Sequence, residues 1–168
     1  QVWAGSGVDT LGAPSPDGRY LSFVDWETGD LAVRDLASGR SRRLTSKGSW
    51  EESGEWAESS VFSPDGRQIA YAWFNKDNFY ELRLVGASGG QPRVLARREE
   101  VFWIQPTGWS PDGKQILALF SGRDISKRIV LVSTADGSVR SLKSFEWAVL
   151  PKLSLSPDGR YIAYDAPT

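Results

Sequence analysis

The 168-residue chain sets 20 Lys and Arg against 21 Asp and Glu, a net charge of −1, and has neither Cys nor His. The balanced charge removes the electrostatic case for nucleic acid, which needs a basic patch to displace counterions. Without Cys there are no disulfides and no thiolate metal sites, and without His no Ser-His-Asp hydrolase site can be built from this chain alone.

Apolar residues make up 40% and charged residues 24%, proportions of a globular chain, and no apolar run is long enough to insert in a membrane. The first element is a turn, Ser15-Pro16-Asp17-Gly18. Proline presets φ at the second turn position, aspartate bonds back to nearby N–H groups, and glycine accepts a positive φ. Leu21 and Phe23 then alternate on one face, which predicts a half-buried strand. Residues 31–34 predict another strand, Ser38-Gly39 a second turn, and Arg42-Arg43-Leu44 a short fourth strand.

The turn phrase then returns at Ser63-Pro64-Asp65-Gly66, Ser110-Pro111-Asp112-Gly113 and Ser156-Pro157-Asp158-Gly159, at intervals of 48, 47 and 46 residues. A short apolar segment precedes each return: Val61-Phe62, Gly108-Trp109 and Leu153-Ser154-Leu155. An alternating segment follows, pairing Ile69 with Tyr71, Ile116 with Ala118, and Ile162 with Tyr164. Third strands are predicted at 82–85 and 129–132, and glycine turns at Ser88-Gly89-Gly90 and Asp136-Gly137. Fourth strands follow at Arg93-Val94-Leu95 and Ser141-Leu142.

A near-constant period of this size marks one supersecondary unit repeated in space. Four short antiparallel strands with tight turns are the blade of a β-propeller. The expected fold is all-β, a single propeller segment over 1–168. Its blades span 8–45, 56–96 and 103–142, each four-stranded, and a partial fourth spans 151–168. Gln1-Val2-Trp3 reads as the last strand of a preceding blade, so the chain is expected to be an excised piece of a longer propeller. An open arc leaves exposed edges, and a homodimer that closes a ring is expected beside that origin.

The repeated phrase has an apolar or aromatic residue before it and Ile-Ala-Tyr-like residues after it. With the closing Arg42-Arg43-Leu44-Thr45 these features resemble TolB-like and WD-repeat-like propeller repeats. The resemblance implies a bacterial envelope protein, periplasmic or secreted, that binds other proteins and does no catalysis. Similar repeats occur in the propeller of prolyl-oligopeptidase-like serine peptidases, which is the alternative reading; a sensor portion of a signalling protein is a third. Fold alone does not decide among them.

Propeller topology puts the first-to-second and third-to-fourth strand turns on one face, and the other connections on the opposite face. That second face collects Trp26, Trp50, Glu51, Glu52, Asn75, Phe79, Glu100, Trp103, Arg123 and Trp147, the predicted surface for a protein or peptide partner. Of these aromatics, Trp50, outside any strand pattern and followed by two glutamates, is the one expected to be exposed, and if it is, its replacement by Ala is expected to cost no more than about 1 kcal/mol. Gly86-Ala87-Ser88-Gly89-Gly90 matches a hydrolase elbow in letters only, since it lies between two predicted strands. No catalytic residue, cofactor or metal site is expected. The four turn aspartates supply one carboxylate per turn, and successive turns are expected to stand well apart, a poor calcium site.

Overall fold

The computed structural model describes residues 12–146 and 152–165, and they contain thirteen strands and no helix. Strands β1 (Tyr20–Asp25), β2 (Asp30–Asp35) and β3 (Ser41–Arg43) form a three-stranded antiparallel sheet. Strands β4 (Trp56–Phe62), β5 (Gln68–Phe74), β6 (Tyr80–Gly86) and β7 (Arg93–Arg97) form the second sheet. The third comprises β8 (Val101–Trp109), β9 (Gln115–Gly122), β10 (Lys127–Ser133) and β11 (Val139–Phe145). A fourth, of two strands, pairs β12 (Leu153–Leu155) with β13 (Ile162–Tyr164). This is the expected all-β propeller fragment, with one difference. Among the described residues, the inner side of the first blade meets β1 in a single bridge between Pro14 and Leu21, flanked by the Ser22 N–H on the Ala13 carbonyl at 2.9 Å and the Ser15 N–H on the Tyr20 carbonyl at 2.8 Å.

Each Ser-Pro-Asp-Gly turn is wired alike. The hydroxyls of Ser15, Ser63, Ser110 and Ser156 donate to Asp17, Asp65, Asp112 and Asp158 at 2.5, 2.6, 2.6 and 2.6 Å. The same carboxylate oxygen accepts the N–H of the residue after the glycine at 3.0 Å in all four. The four glycines hold φ between 69 and 71°, a conformation in which a side chain is strained.

The serine hydroxyl, then the backbone N–H, hold all four carboxyls below the ordinary 3.8. Asp136, in the turn before β11, is held at about 2, chiefly by the N–H of Ser138. A depressed folded pKa stabilises the fold above the unfolded value and is lost as pH falls through the folded one. The midpoint of urea unfolding is therefore expected to drop as pH is lowered from about 4 toward 2. Asn at Asp17, Asp65, Asp112 and Asp158 together should flatten that slope, and an unchanged slope would count against these turns as its source.

The predicted half-buried strands β5 and β9 are in fact buried on both faces, because a blade stacks on either side of their sheets, whereas β13 stays half-buried to exposed. On β5, Ile69, Tyr71 and Trp73 pack with Val24, Leu31 and Val33 of the first blade, while Ala70 points into the layer of Ile104, Ile116 and Phe120. On β9 the alternation repeats. Ile116, Ala118 and Phe120 face the second blade, and Leu117 and Leu119 face Leu153, Leu155 and Ile162. Removing such apolar surface from water is the main stabilising term, at roughly 25 cal/mol per Å².

Polar latches cross the same interfaces. Arg42 on β3 donates to the carbonyl of Ala87, in the β6–β7 turn. Arg93, at the matching place on β7, donates to the carbonyl of Thr134 at 2.5 Å, in the β10–β11 turn. Gly137 of that turn sits so close to β7 that a Cβ would lie 1.9 Å from the Leu95 carbonyl oxygen. The turns do not stand well apart as expected, and a Cβ on Gly66 would lie 3.7 Å from Pro16. A Cβ on Gly159 would lie 2.7 Å from Pro111, so successive turns touch, drawn together by stacked blades.

Candidate functional site

The opposite face is built first by the β1–β2 turn. Asp25 accepts the N–H of Glu27 at 3.1 Å through its carboxylate and that of Gly29 at 2.7 Å through its carbonyl, which lifts Trp26 to the apex. Gly29 has φ 78°, and a Cβ there would lie 2.9 Å from the Cβ of Trp56. Only glycine allows the second blade to approach this turn so closely.

The loop from β3 to β4 is held by a buried carboxylate. Asp30 accepts the hydroxyl of Thr45 at 2.6 Å and the N–H groups of Lys47 and Gly48 at 3.1 and 2.9 Å. Burial of an ionised group is tolerable when it is bonded this fully. The loop then brings Trp50 beside the first turn, where its Nε1 donates to the Trp26 carbonyl at 2.9 Å.

The result is a ladder of five aromatic rings. Trp26 and Trp50 stack with centroids 5.3 Å apart and planes 8° off parallel. Trp50 meets Trp56 at 5.1 Å, Trp56 stacks on Phe74 at 4.3 Å, and Phe74 tilts against Tyr80 at 5.1 Å. The last three rings are cross-strand neighbours, since Phe74 is the register partner of both Trp56 and Tyr80. Trp26 is 50% exposed and Trp50 37%.

Below the ladder, a bulge between Ala57 and Ser60 re-aims Glu58. Its carboxylate accepts Tyr80 Oη at 2.9 Å, Trp103 Nε1 at 2.6 Å and Trp56 Nε1 at 3.4 Å. Burial, and then the Glu58 charge, push the Tyr80 phenol well above its ordinary range, so it stays a donor. One carboxylate thus ties β4, β6 and β8 together beneath the rings.

The ten predicted residues divide accordingly. Trp26 and Trp50 are joined in the ladder, flanked by exposed Glu51 and Glu52. Trp103 is reached through Glu58; it lies within β8, which starts at Val101 where a connection was expected. Asn75 is 4% exposed and spends its side chain on the β5–β6 turn. It donates to Glu81 at 2.7 Å and accepts from the N–H groups of Asp77 and Phe79, and its burial keeps it off the surface a partner would meet. Phe79 lies under the guanidinium groups of Arg97 and Arg123, at 4.7 and 5.8 Å. Glu100 faces Arg128 at 3.5 Å. Trp147 lies outside the described residues.

Trp50 is 37% exposed, yet its ring lies between those of Trp26 and Trp56. Trp50→Ala is expected to cost about 1–2 kcal/mol, from two ring contacts and one hydrogen bond. Urea unfolding reads this directly; a loss below about 0.5 kcal/mol, the level of ordinary surface changes, would mean that the stack does not form in solution. Trp56, Glu58, Phe74 and Tyr80 were missed as site residues. Trp56 stands where the second blade was expected to open, the other three fall in no segment singled out above, and no local signal tells which strand ends gather.

No family model matches the chain. A curated relative, the protein TolB homolog of Chlorobium chlorochromatii, is 38% identical over 84 residues, which are 46% of this chain and 18% of that protein. The putative TolB of Agrobacterium tumefaciens superposes on 97% of this chain with a TM-score of 0.74 at 25% identity, covering 55% of that structure. TolB of Acinetobacter baumannii does so over 97% with a TM-score of 0.73 at 22% identity, covering 39%. The fold is a β-propeller fragment, like the matching part of these TolB structures. The chain spans less than a fifth of the curated relative and about half or less of the two TolB structures. The same TolB-like arrangement is shared at 10% identity with dipeptidyl peptidase 4 of Porphyromonas gingivalis, with a TM-score of 0.67 over 92% of this chain and 29% of that one. At that identity the likeness is one of fold.

Proposed function

We propose that this segment is a non-catalytic propeller module whose ladder-bearing face holds a protein or peptide partner. The observation that carries the reading is the five-ring ladder, which ends in a half-exposed Trp26. Aromatic anchors with polar groups around them are the usual centre of a protein interface. The likeness to TolB supports a place in the bacterial envelope, periplasmic or secreted. No helix of the described residues is long and apolar enough to cross a membrane.

Ser88 is no hydrolase nucleophile in this reading. It sits in the β6–β7 turn, closed by the Gly89 N–H on the Gly86 carbonyl at 2.8 Å, and the chain has no His to activate it. The fold shared with dipeptidyl peptidase 4 favours one second reading, a propeller that restricts access to a hydrolase domain outside this chain. Self-association belongs to the first reading. The half-buried Leu153, Leu155, Ile162 and Tyr164 of the two-stranded blade favour pairing of the isolated segment. Light scattering should give a mass that rises with concentration, and a constant monomer mass would remove the pairing.

The test of function is a selection of displayed peptides on the wild-type chain and on Trp26→Ala. Peptides that enrich on the first and not the second support the reading. Enrichment indifferent to Trp26 and Trp50 would overturn it, as would hydrolysis of a peptide abolished by one substitution in this chain.

A further inference from the structure

Exposed aromatic rings in this protein carry a cation of the chain's own. Phe102, 42% exposed, has the Lys127 ammonium 5.3 Å from its centroid, and Tyr161, 66% exposed, has the Arg160 guanidinium at 5.9 Å. Phe79 lies under Arg97 at 4.7 Å, and Arg97 in turn faces Asp77 at 3.6 Å. Inside the second blade the arrangement is complete. The Arg83 guanidinium sits 4.8 Å from the Trp73 ring and 2.6 Å from the Glu81 carboxylate. Ring, guanidinium and carboxylate satisfy one another there, since a weakly hydrated planar cation stacks and pairs at once.

Trp26 has two of these three parts. One face of its indole stacks on Trp50, and no cation or ring covers the other among the described residues. Trp50 differs, with Trp26 on one side and Trp56 on the other. Beside the stack the sequence places Glu27, next to Trp26, and Glu51 and Glu52, next to Trp50. All three are exposed, and none makes an ion pair among the described residues, whereas Asp25 in the same turn is taken by Arg43 at 2.6 Å.

We infer that the Trp26 face takes an arginine of a partner peptide, its guanidinium stacked on the indole and paired with the carboxylates of Glu27, Glu51 and Glu52. This rests on the proposed function and names the chemistry of the partner. The commitment to a cation comes from charge complementarity: Glu27, Glu51 and Glu52, exposed and without an ion pair among the described residues, stand next in sequence to Trp26 and Trp50, and an acidic segment would be repelled there. Arginine is favoured over lysine because its flat guanidinium stacks and forks toward carboxylates in one pose.

The test titrates the chain with the peptide Gly-Ser-Arg-Pro-Arg-Ser-Gly and follows tryptophan fluorescence, beside versions with Lys, Glu or Gln in both Arg places. The Arg peptide should saturate, bind more weakly as salt rises, and lose roughly tenfold in affinity on Trp26→Ala. Trp26→Phe, which keeps a ring, should recover most of that loss, and the triple change Glu27→Gln, Glu51→Gln, Glu52→Gln should also weaken binding several-fold. Equal binding of the Lys peptide would overturn the stacked guanidinium. Tighter binding of the Glu or Gln peptide through Trp26 would overturn this inference and leave a peptide-binding face standing. Binding of the Arg peptide that ignores both Trp26 and the three glutamates would overturn it as well. Absence of Trp26-dependent binding by any of the four peptides would overturn it while the displayed-peptide selection still decides the broader reading.

Discussion

Replacing Trp73 by Ala is expected to cost about 3–5 kcal/mol, the range for deleting a fully buried aromatic ring. The ring is 0% exposed and lies edge-on to Tyr71, with centroids 6.2 Å apart at 89°. It belongs to the layer that joins the first two blades. The loss extends beyond volume, because the Arg83 guanidinium rests on this ring while bonding Glu81 at 2.7 Å. Without the ring, a charged pair that is mostly out of water faces a cavity, and neither partner can be spared. Trp73 Nε1 has no hydrogen-bond partner, so the contribution of the residue is packing. Trp73→Phe should therefore cost only about 1–2 kcal/mol, since it keeps an aromatic body and leaves no donor behind. Urea unfolding of both variants checks the pair. An Ala variant within about 1 kcal/mol of the parent would mean that the first two blades do not unfold as one unit.

Trp73 also marks where sequence reading reached its limit. Its strand was legible, since the turn at Ser63-Pro64-Asp65-Gly66 fixes where β5 begins and the alternation of Ile69 and Tyr71 gives it away. The alternation suggested one buried face because one strand cannot report what covers its other side. Ala70 and Ala72 looked like the exposed set, and both are 0% exposed because the third blade packs there. Small residues on that face let the sheets approach, a signal that is readable only once stacked blades are assumed.

The candidate site was legible in part for a related reason. Topology sent Trp26 and Trp50 to the same face, 24 residues apart in the chain, and the structure stacks them. Trp56, Phe74 and Tyr80 were not singled out, and nothing local says that their strand ends continue the stack across a blade boundary. Asn75 was misread for the opposite reason. A polar residue in a loop looks available, but an asparagine before a tight turn is usually consumed by it, as the bonds to Asp77 and Phe79 record.

Glu58→Ala is expected to cost about 2–4 kcal/mol and to loosen the candidate site at the same time. Three donors converge on this carboxylate, from Tyr80, Trp103 and Trp56, and an alanine supplies no acceptor for any of them. Unmade bonds at half-buried donors cost more than the made ones contribute. Glu58→Gln keeps one acceptor oxygen but turns an amide N–H₂ toward donors, so it should recover only part of the loss, leaving about 1–2 kcal/mol. The consequence reaches the ladder because two of the three donors, Trp56 and Tyr80, are themselves rungs, and they flank Phe74. Freed of Glu58, these rings lose the bonds that fix their orientation, and the stack carrying Trp50 and Trp26 loses its base. The check is twofold: urea unfolding for stability, and near-ultraviolet circular dichroism for the coupled indoles. A stability loss with an unaltered indole signal would separate the two roles and confine Glu58 to joining the second and third blades. A change in both makes Glu58 the part that couples blade packing to the geometry of the aromatic ladder, which is why a half-buried residue beneath the rings belongs to the candidate site.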